Sequence, residues 1–126
     1  MIDLPTGISL NPETIIFLDE FPQESNDGNF PTRNPANGQV LAYLPLADEA
    51  AVDEAVNAAR NAFPNWRDKV TPADRAKLLL RLAELMERDV KIFQELECLD
   101  NGKPLNKAAY DVASAIKHFR YYAGWS

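Results

Sequence analysis

The chain has 126 residues, of which 46% are hydrophobic and 25% charged, and its formal net charge is -6. These proportions are typical of a globular domain large enough to bury a core, and the negative charge disfavours nucleic acid and anionic membranes as partners. The single cysteine, Cys98, excludes an internal disulfide and a cysteine-rich metal site.

The sequence also carries signals about its compartment. No apolar run approaches the ~18 residues that a membrane span requires. Residues 1–14 contain no Lys or Arg, whereas a secretory signal or a mitochondrial presequence needs basic residues. We therefore expect a cytoplasmic chain.

Strand signals lie in the N-terminal third. Residues 1–14 lack periodicity and predict an extended arm. Residues 14–18 are rich in β-branched and aromatic side chains and predict a strand. Two further short strands are predicted over 30–33 and 39–44. The turn between them, at 34–38, contains an Asn-Gly pair that supplies the positive φ of a tight hairpin.

The period then changes from two residues to that of a helix. Asp48 is a suitable N-cap, and acidic residues follow it near the positive end of the helix dipole. Pro64 is predicted to end this first helix. Its apolar stripe consists of Val52, Ala55, Val56, Ala59, Ala62 and Phe63.

A second helix has the clearest start signal in the chain. Thr71 is the predicted cap, Pro72 occupies the first helical position, and Asp74 stands where a capping-box carboxylate would. The apolar periodicity of this helix continues past Arg88 and Asp89. It therefore does not show whether one helix or two cover this stretch. The predicted buried face consists of Leu78, Leu79, Leu82, Leu85 and Met86.

The last part of the chain predicts another helix. Asn101 and Gly102 end the preceding helical stretch, Pro104 starts the next, and Gly124 is the predicted stop. Its predicted apolar face consists of Leu105, Ala108, Ala109, Val112, Ala115, Ile116 and Phe119. The sequence therefore predicts an α+β chain, with short hairpin strands followed by three to four amphipathic helices and no alternation that would build a parallel sheet.

Few residues suggest chemistry. The five glycines are too far apart for a phosphate-binding loop. Cys98 lies between Glu97 and Leu99, and nearby carboxylates raise the pKa of a thiol, so a buried inert thiol is favoured over a nucleophile. His118 is the only histidine, and a partly exposed helical position is its default. On these grounds we assign no catalytic, cofactor-binding or metal-ligating residue.

Several segments, taken in order, resemble the NAD(P)-dependent aldehyde dehydrogenase family. The combination of Asp-Asn-Gly-Lys-Pro at 100–104 with Tyr-Tyr-Ala-Gly-Trp at 121–125 is highly specific. The other matching segments are F-P-T-R-N-P-A-N-G-Q-V at 30–40, V-D-E-A-V-N-A-A-R-N-A-F at 52–63, the leucine-rich stretch 75–87, and E-L-E-C-L at 95–99.

The resemblance implies that residues 15–126 are the incomplete N-terminal part of an aldehyde dehydrogenase domain, truncated before its Rossmann-type sheet. The family oxidises an aldehyde to an acid through a cysteine thiohemiacetal and hydride transfer to NAD or NADP. Its nucleophile, base and cofactor motifs (G-Q-x-C, E-L-G-G, W-N-x-P, K-P-S/A-E and G-S-T-x-x-G) do not occur here, so this chain is expected to be inactive alone and to hold no cofactor. Some members have a structural monovalent cation near the positions of Thr32 and Asp100, completed by a carbonyl from a later segment.

Three interpretations remain open. The chain is a catalytically empty aldehyde dehydrogenase fragment, or a non-enzymatic partner that docks on full-length subunits, or an unrelated helical module, which the motif order disfavours. In the first two cases we expect exposed apolar surface that leads to self-association or binds a full-length subunit.

Overall fold

The computed structural model describes residues 28–126. The predicted arm at 1–14 and the predicted strand at 14–18 lie outside the described residues. The described part contains a hairpin and four helices, in agreement with the predicted class. In chain order the elements are β1 (Asn29–Arg33), β2 (Val40–Pro45), α1 (Glu49–Asp68), α2 (Pro72–Arg88), α3 (Val90–Asn101) and α4 (Leu105–Ala123).

The two strands form an antiparallel pair, within one residue of the predicted bounds. Phe30 pairs with Leu44 and Thr32 with Ala42, and the register shifts after Thr32. The turn depends on Asn34, which is only 2% exposed and whose side-chain oxygen accepts a hydrogen bond from the Ala36 amide at 2.9 Å. Such an Asx turn satisfies a buried polar side chain locally.

Helix α1 begins where the sequence predicts, because the Asp48 carboxylate accepts a hydrogen bond from the Ala51 amide at 2.8 Å. The prediction that Pro64 ends this helix is wrong, since α1 continues to Asp68. Proline removes one bond to the carbonyl of Arg60. The helix is exposed along its whole length, so water can replace that bond, and the Lys69 amide still bonds to the Asn65 carbonyl at 3.0 Å.

The boundary that periodicity left open lies at Asp89. Helix α2 begins at the predicted cap, where the Thr71 hydroxyl accepts from the Asp74 amide at 3.2 Å, and it ends at Arg88. Asp89 has φ −101° and ψ 20°, which is not helical, and α3 starts directly after it. A single residue therefore separates two helices whose apolar faces form one continuous pattern.

Glycine ends both later helices, as predicted. Gly102 follows α3 with φ 67°, in the left-handed region that favours glycine. Gly124 follows α4 with φ −75°, so that position ends the helix without a left-handed residue. Pro104 precedes α4 as its cap rather than forming its first turn.

The core lies between α2 and α4. It is built on Ala83, Val112 and Ile116, with Met86, Val90 and Phe119 packed around them. Ala83 is fully buried, whereas Leu78 and Leu82, predicted to be on the buried face, are exposed. The small Ala83 side chain lets the two helices approach closely, and this turns the two leucines away from α4. Leu105, predicted on the apolar face of α4, is also exposed.

Within residues 28–126, no helix combines the length and apolarity needed to cross a membrane.

Candidate functional site

The hairpin meets the connection between α3 and α4. The Thr32 hydroxyl on β1 donates to the Asp100 carboxylate near the end of α3, at 2.6 Å. Beside this bond, a Cβ added to Gly102 would lie 2.8 Å from Cγ of Pro35. We call Thr32, Pro35, Asp100 and Gly102 the hairpin–helix junction. It joins two segments that carry much of the family resemblance.

Lys103 holds the adjoining helices together. Its ammonium group donates to Asp111 on α4 at 2.7 Å and to Glu97 on α3 at 2.8 Å. The hydrogen bond to Asp111 makes the largest contribution to raising the pKa of Lys103 above its ordinary value, and the bond to Glu97 raises it further. Glu97 also accepts from the side-chain amide of Asn101 at 3.2 Å. The charged side chains of this region therefore hold α3 and α4 together.

A cleft of about 300 Å³ lies between the hairpin and α3. That volume is at the lower end of the range for small-molecule sites. The polar side chains in its wall are already hydrogen-bonded, Thr32 to Asp100 and Asn101 to Glu97. What remains for a ligand is the apolar part of the wall, formed by Leu41, Ala42, Leu44, Phe93, Leu96 and Leu99. The cleft is suited to packing rather than to reaction.

The structure brings together the two residues near which the resemblance implies a cation. The Thr32 hydroxyl donates to one carboxylate oxygen of Asp100. Among residues 28–126 no three Asp, Glu, His or Cys side chains converge into a possible metal site. Hard monovalent and divalent cations take several oxygen ligands, so the two residues do not form a site by themselves, and the implied cation stays a prediction.

The single thiol is buried in α3. Burial of Cys98 raises the pKa of its thiol, and the charges of Glu97 and Glu95 raise it further. Only the thiolate is a good nucleophile, and reactive cysteines have a lowered pKa. The raised pKa disfavours the thiolate, and the inert thiol stays a prediction.

His118 lies exposed on α4. Its Nδ1 is 2.7 Å from the carbonyl oxygen of Ser114, one turn earlier in the same helix. A carbonyl only accepts, so Nδ1 carries the proton in this bond. His118 therefore bonds to its own helix, as a solvated helical histidine would.

Sequence reasoning missed the bonds of Lys103 and the contact of Pro35 with Gly102. For Lys103 a weak signal exists, because a lysine between glycine and proline at a helix boundary has carboxylates near it on both sides in sequence. The Pro35 contact joins residues 67 positions apart and has no local signal. Such long-range contacts are set by the packing of the hairpin on α3.

Comparison with known proteins identifies the family. The model of the aldehyde dehydrogenase family matches residues 22–126. The chain is 41% identical to an aldehyde dehydrogenase of Aspergillus niger over 99% of its length and 43% identical to human retinal dehydrogenase 2 over 90%. The NAD+ complex of the aldehyde dehydrogenase from Bacillus cereus superimposes on 94% of the chain with a TM-score of 0.82 and 39% identity. The chain belongs to the aldehyde dehydrogenase family.

These matches cover only part of each relative. The chain spans 25% of the Aspergillus niger protein, 23% of the human protein and 26% of the Bacillus cereus structure. It therefore corresponds to about a quarter of the fold that those proteins share.

Proposed function

We propose that these residues serve as a structural segment of an aldehyde dehydrogenase and that the 126-residue chain has no dehydrogenase activity of its own. In the complete family fold they would pack beside the domain that binds NAD or NADP and would support oxidation of an aldehyde to a carboxylic acid in the cytoplasm. The observation that carries the proposal is the state of Cys98, the sole thiol, which is buried and has a raised pKa.

The chemistry of the family explains why that observation matters. Attack on an aldehyde carbonyl requires a thiolate that a base or an electropositive environment activates. Hydride transfer further requires an ordered nicotinamide. Burial and the carboxylates of Glu97 and Glu95 outweigh the opposing charge of Lys103 and keep the pKa of Cys98 raised. The family motifs for the nucleophile, the base and the cofactor do not occur in the sequence.

A turnover assay tests this proposal. The purified chain should form no NADH or NADPH from aliphatic or aromatic aldehydes, under conditions in which a full-length aldehyde dehydrogenase is active. Cys98→Ser serves as the control for any trace signal. Reduced cofactor that appears with the parent chain and disappears with Cys98→Ser would overturn the proposal.

A second function is favoured by the exposed aromatic residues at the end of α4. The Tyr121 ring lies against the rings of both Tyr122 and Trp125, and Trp125 is 74% exposed. Exposed aromatic clusters are characteristic of protein interfaces. The alternative proposal is a non-enzymatic partner that docks on full-length aldehyde dehydrogenase subunits. Mixing the chain with such a subunit and measuring the mass of the complex by light scattering distinguishes the two, since a structural segment alone would leave the mass unchanged.

A further inference from the structure

The dipeptide Asn-Gly occurs twice in the chain, at Asn37-Gly38 and at Asn101-Gly102. Asparagine is one of the chemically labile residues of proteins. When glycine follows it, no side chain hinders attack of the glycine nitrogen on the asparagine side-chain amide. Both asparagines are exposed, so exposure does not distinguish them, but the groups around the two side chains differ.

The side-chain carbonyl of Asn37 is polarised for such an attack. Its Oδ1 accepts a hydrogen bond from the Gln39 amide at 3.0 Å, and its Nδ2 donates to Oε1 of Gln39 at 3.1 Å. Attack at Cγ develops negative charge on Oδ1, and a backbone N–H that already points at this oxygen stabilises that charge. At Asn101 the Nδ2 donates instead to the Glu97 carboxylate, at 3.2 Å, which places a negative charge beside the amide.

The attacking nitrogen must also lose its proton. A nearby positive charge favours such an ionisation, and a negative charge opposes it. Nη1 of Arg33 donates to the carbonyl oxygen of Gly38 at 3.0 Å. A guanidinium therefore lies beside the nitrogen that would attack Asn37.

The second site has more negative than positive charge around it. Glu97 bonds to Asn101, and Asp100 directly precedes it. The nearby cation is Lys103, whose ammonium is held between Glu97 at 2.8 Å and Asp111 at 2.7 Å. Three carboxylates around one ammonium leave a negative balance, which opposes loss of the proton from the glycine amide.

The backbone is also freer to rearrange at the turn. Ring closure breaks the hydrogen bond of the glycine amide at either site, from Gly38 to the Asn34 carbonyl at 2.7 Å or from Gly102 to the Cys98 carbonyl at 3.0 Å. A Cβ added to Gly38 would have no other atom within 4 Å, so this residue has room to move. Gly102 lies against Pro35 and ends α3 just after buried residues, so movement there disturbs a packed helix end.

We propose that Asn37 is a site of spontaneous deamidation and that the fold protects Asn101 from the same reaction. The Gly38 nitrogen loses its proton and forms a bond to Cγ of Asn37. The Cγ–Nδ2 bond then breaks, and the leaving nitrogen takes up a proton and departs as ammonia. Water opens the resulting succinimide at either carbonyl and leaves aspartate or isoaspartate at position 37. This modification site goes beyond the structural role proposed above and does not depend on it.

The reaction would change the turn of the hairpin. Isoaspartate adds one methylene group to the backbone, and both products add a negative charge near Arg33. The same turn carries Pro35, which contacts Gly102. Deamidation of Asn37 therefore alters the segment through which the hairpin meets α3.

Peptide mapping of the whole chain tests the selectivity. The chain is incubated at slightly alkaline pH and digested with trypsin, and mass spectrometry detects the exchange of NH2 for OH in each peptide. In the folded chain Asn37 should convert at least about tenfold faster than Asn101, or about 1.4 kcal/mol in activation free energy. In guanidinium chloride the two rates should converge, because the fold is the source of the difference.

Three results would overturn the proposal. Equal rates at the two sites of the folded chain would show that the surroundings do not select between them, and faster conversion of Asn101 would reverse the assignment. Conversion of Asn37 in the denaturant alone would show that the turn protects this residue.

A matched pair of variants tests the contribution of charge. Arg33→Lys and Arg33→Gln both remove the guanidinium from Gly38, but the lysine keeps the positive charge. Asn37 should therefore deamidate faster in Arg33→Lys than in Arg33→Gln, while the rate at Asn101 stays the same in both. Equal rates at Asn37 in the two variants would contradict the role assigned to the charge of Arg33.

Discussion

At the scale of single residues, Gly102 shows how local conformation and long-range packing select one amino acid. Its φ of 67° is in the left-handed region, and its missing side chain leaves room for Pro35, whose Cγ would be 2.8 Å from an added Cβ. Gly38 also has a positive φ, of 75°, but a Cβ added there would have no other atom within 4 Å. The two glycines therefore separate the effect of conformation from that of packing.

Alanine substitutions measure the two effects. Gly38→Ala should lower the free energy of unfolding by about 1 kcal/mol, the cost of a left-handed non-glycine residue. Gly102→Ala should lower it by more than about 2 kcal/mol, because the new methyl group also displaces Pro35. Urea denaturation followed by circular dichroism provides both values. Equal losses at the two positions would show that Pro35 does not press on Gly102.

At the scale of elements, the sequence predicts the helix ends that depend on neighbouring residues alone. The caps at Asp48 and Thr71 follow from side chains that accept hydrogen bonds from nearby backbone amides. The stop at Gly102 follows from a left-handed φ that glycine adopts readily. The orientation of α2 does not follow from neighbouring residues. The side of α2 that faces α4 depends on how Ala83 packs against α4. The prediction at Pro64 failed for a different reason, because water can replace the bond that proline removes from the exposed α1.

The hairpin–helix junction could likewise be predicted only in part. The resemblance points to Thr32 and Asp100, which do lie together. The contact of Pro35 with Gly102 and the two bonds of Lys103 needed the hairpin and α4 in place. Contacts between residues far apart in sequence leave little trace in a single sequence.

One contact between elements has a predictable pH dependence. Arg120 on α4 donates to Glu87 on α2 at 2.6 Å, and this bond lowers the pKa of Glu87. A carboxyl group with a lowered pKa in the folded state stabilises the fold above its ordinary pKa, about 4.3, and that contribution is lost as the pH falls towards the folded value. Glu87→Gln should therefore destabilise the chain near neutral pH and have a smaller effect at about pH 3.

The control for this pair is Glu84→Gln. Glu84 bonds to Arg81 within α2, at 3.0 Å, and it acts on Arg120 only through a weaker electrostatic attraction. Urea denaturation of the parent and both variants at the two pH values gives the comparison. If Glu87→Gln destabilises the chain equally at both pH values, the bond to Arg120 is not the source of its effect.

At the scale of the whole molecule, the described residues form a framework with little interior. The core between α2 and α4 rests on a few side chains, while Leu78, Leu82, Tyr110 and Trp125 remain exposed. Apolar surface on this scale marks places where other protein is meant to pack. This agrees with a chain that spans about a quarter of its relatives.

We proposed that this chain supplies structure and no catalytic group, and the reactivity of Cys98 is the measurement that bears on that proposal. We predict that alkylation of Cys98 by iodoacetamide is slow in the folded chain, rises only above the pH at which an ordinary thiol ionises, about 8.5, and accelerates when urea unfolds the chain. These results follow from burial and from the raised pKa of the thiol. Rapid alkylation that reaches its plateau below neutral pH in the folded chain would reveal an activated nucleophile and contradict the account.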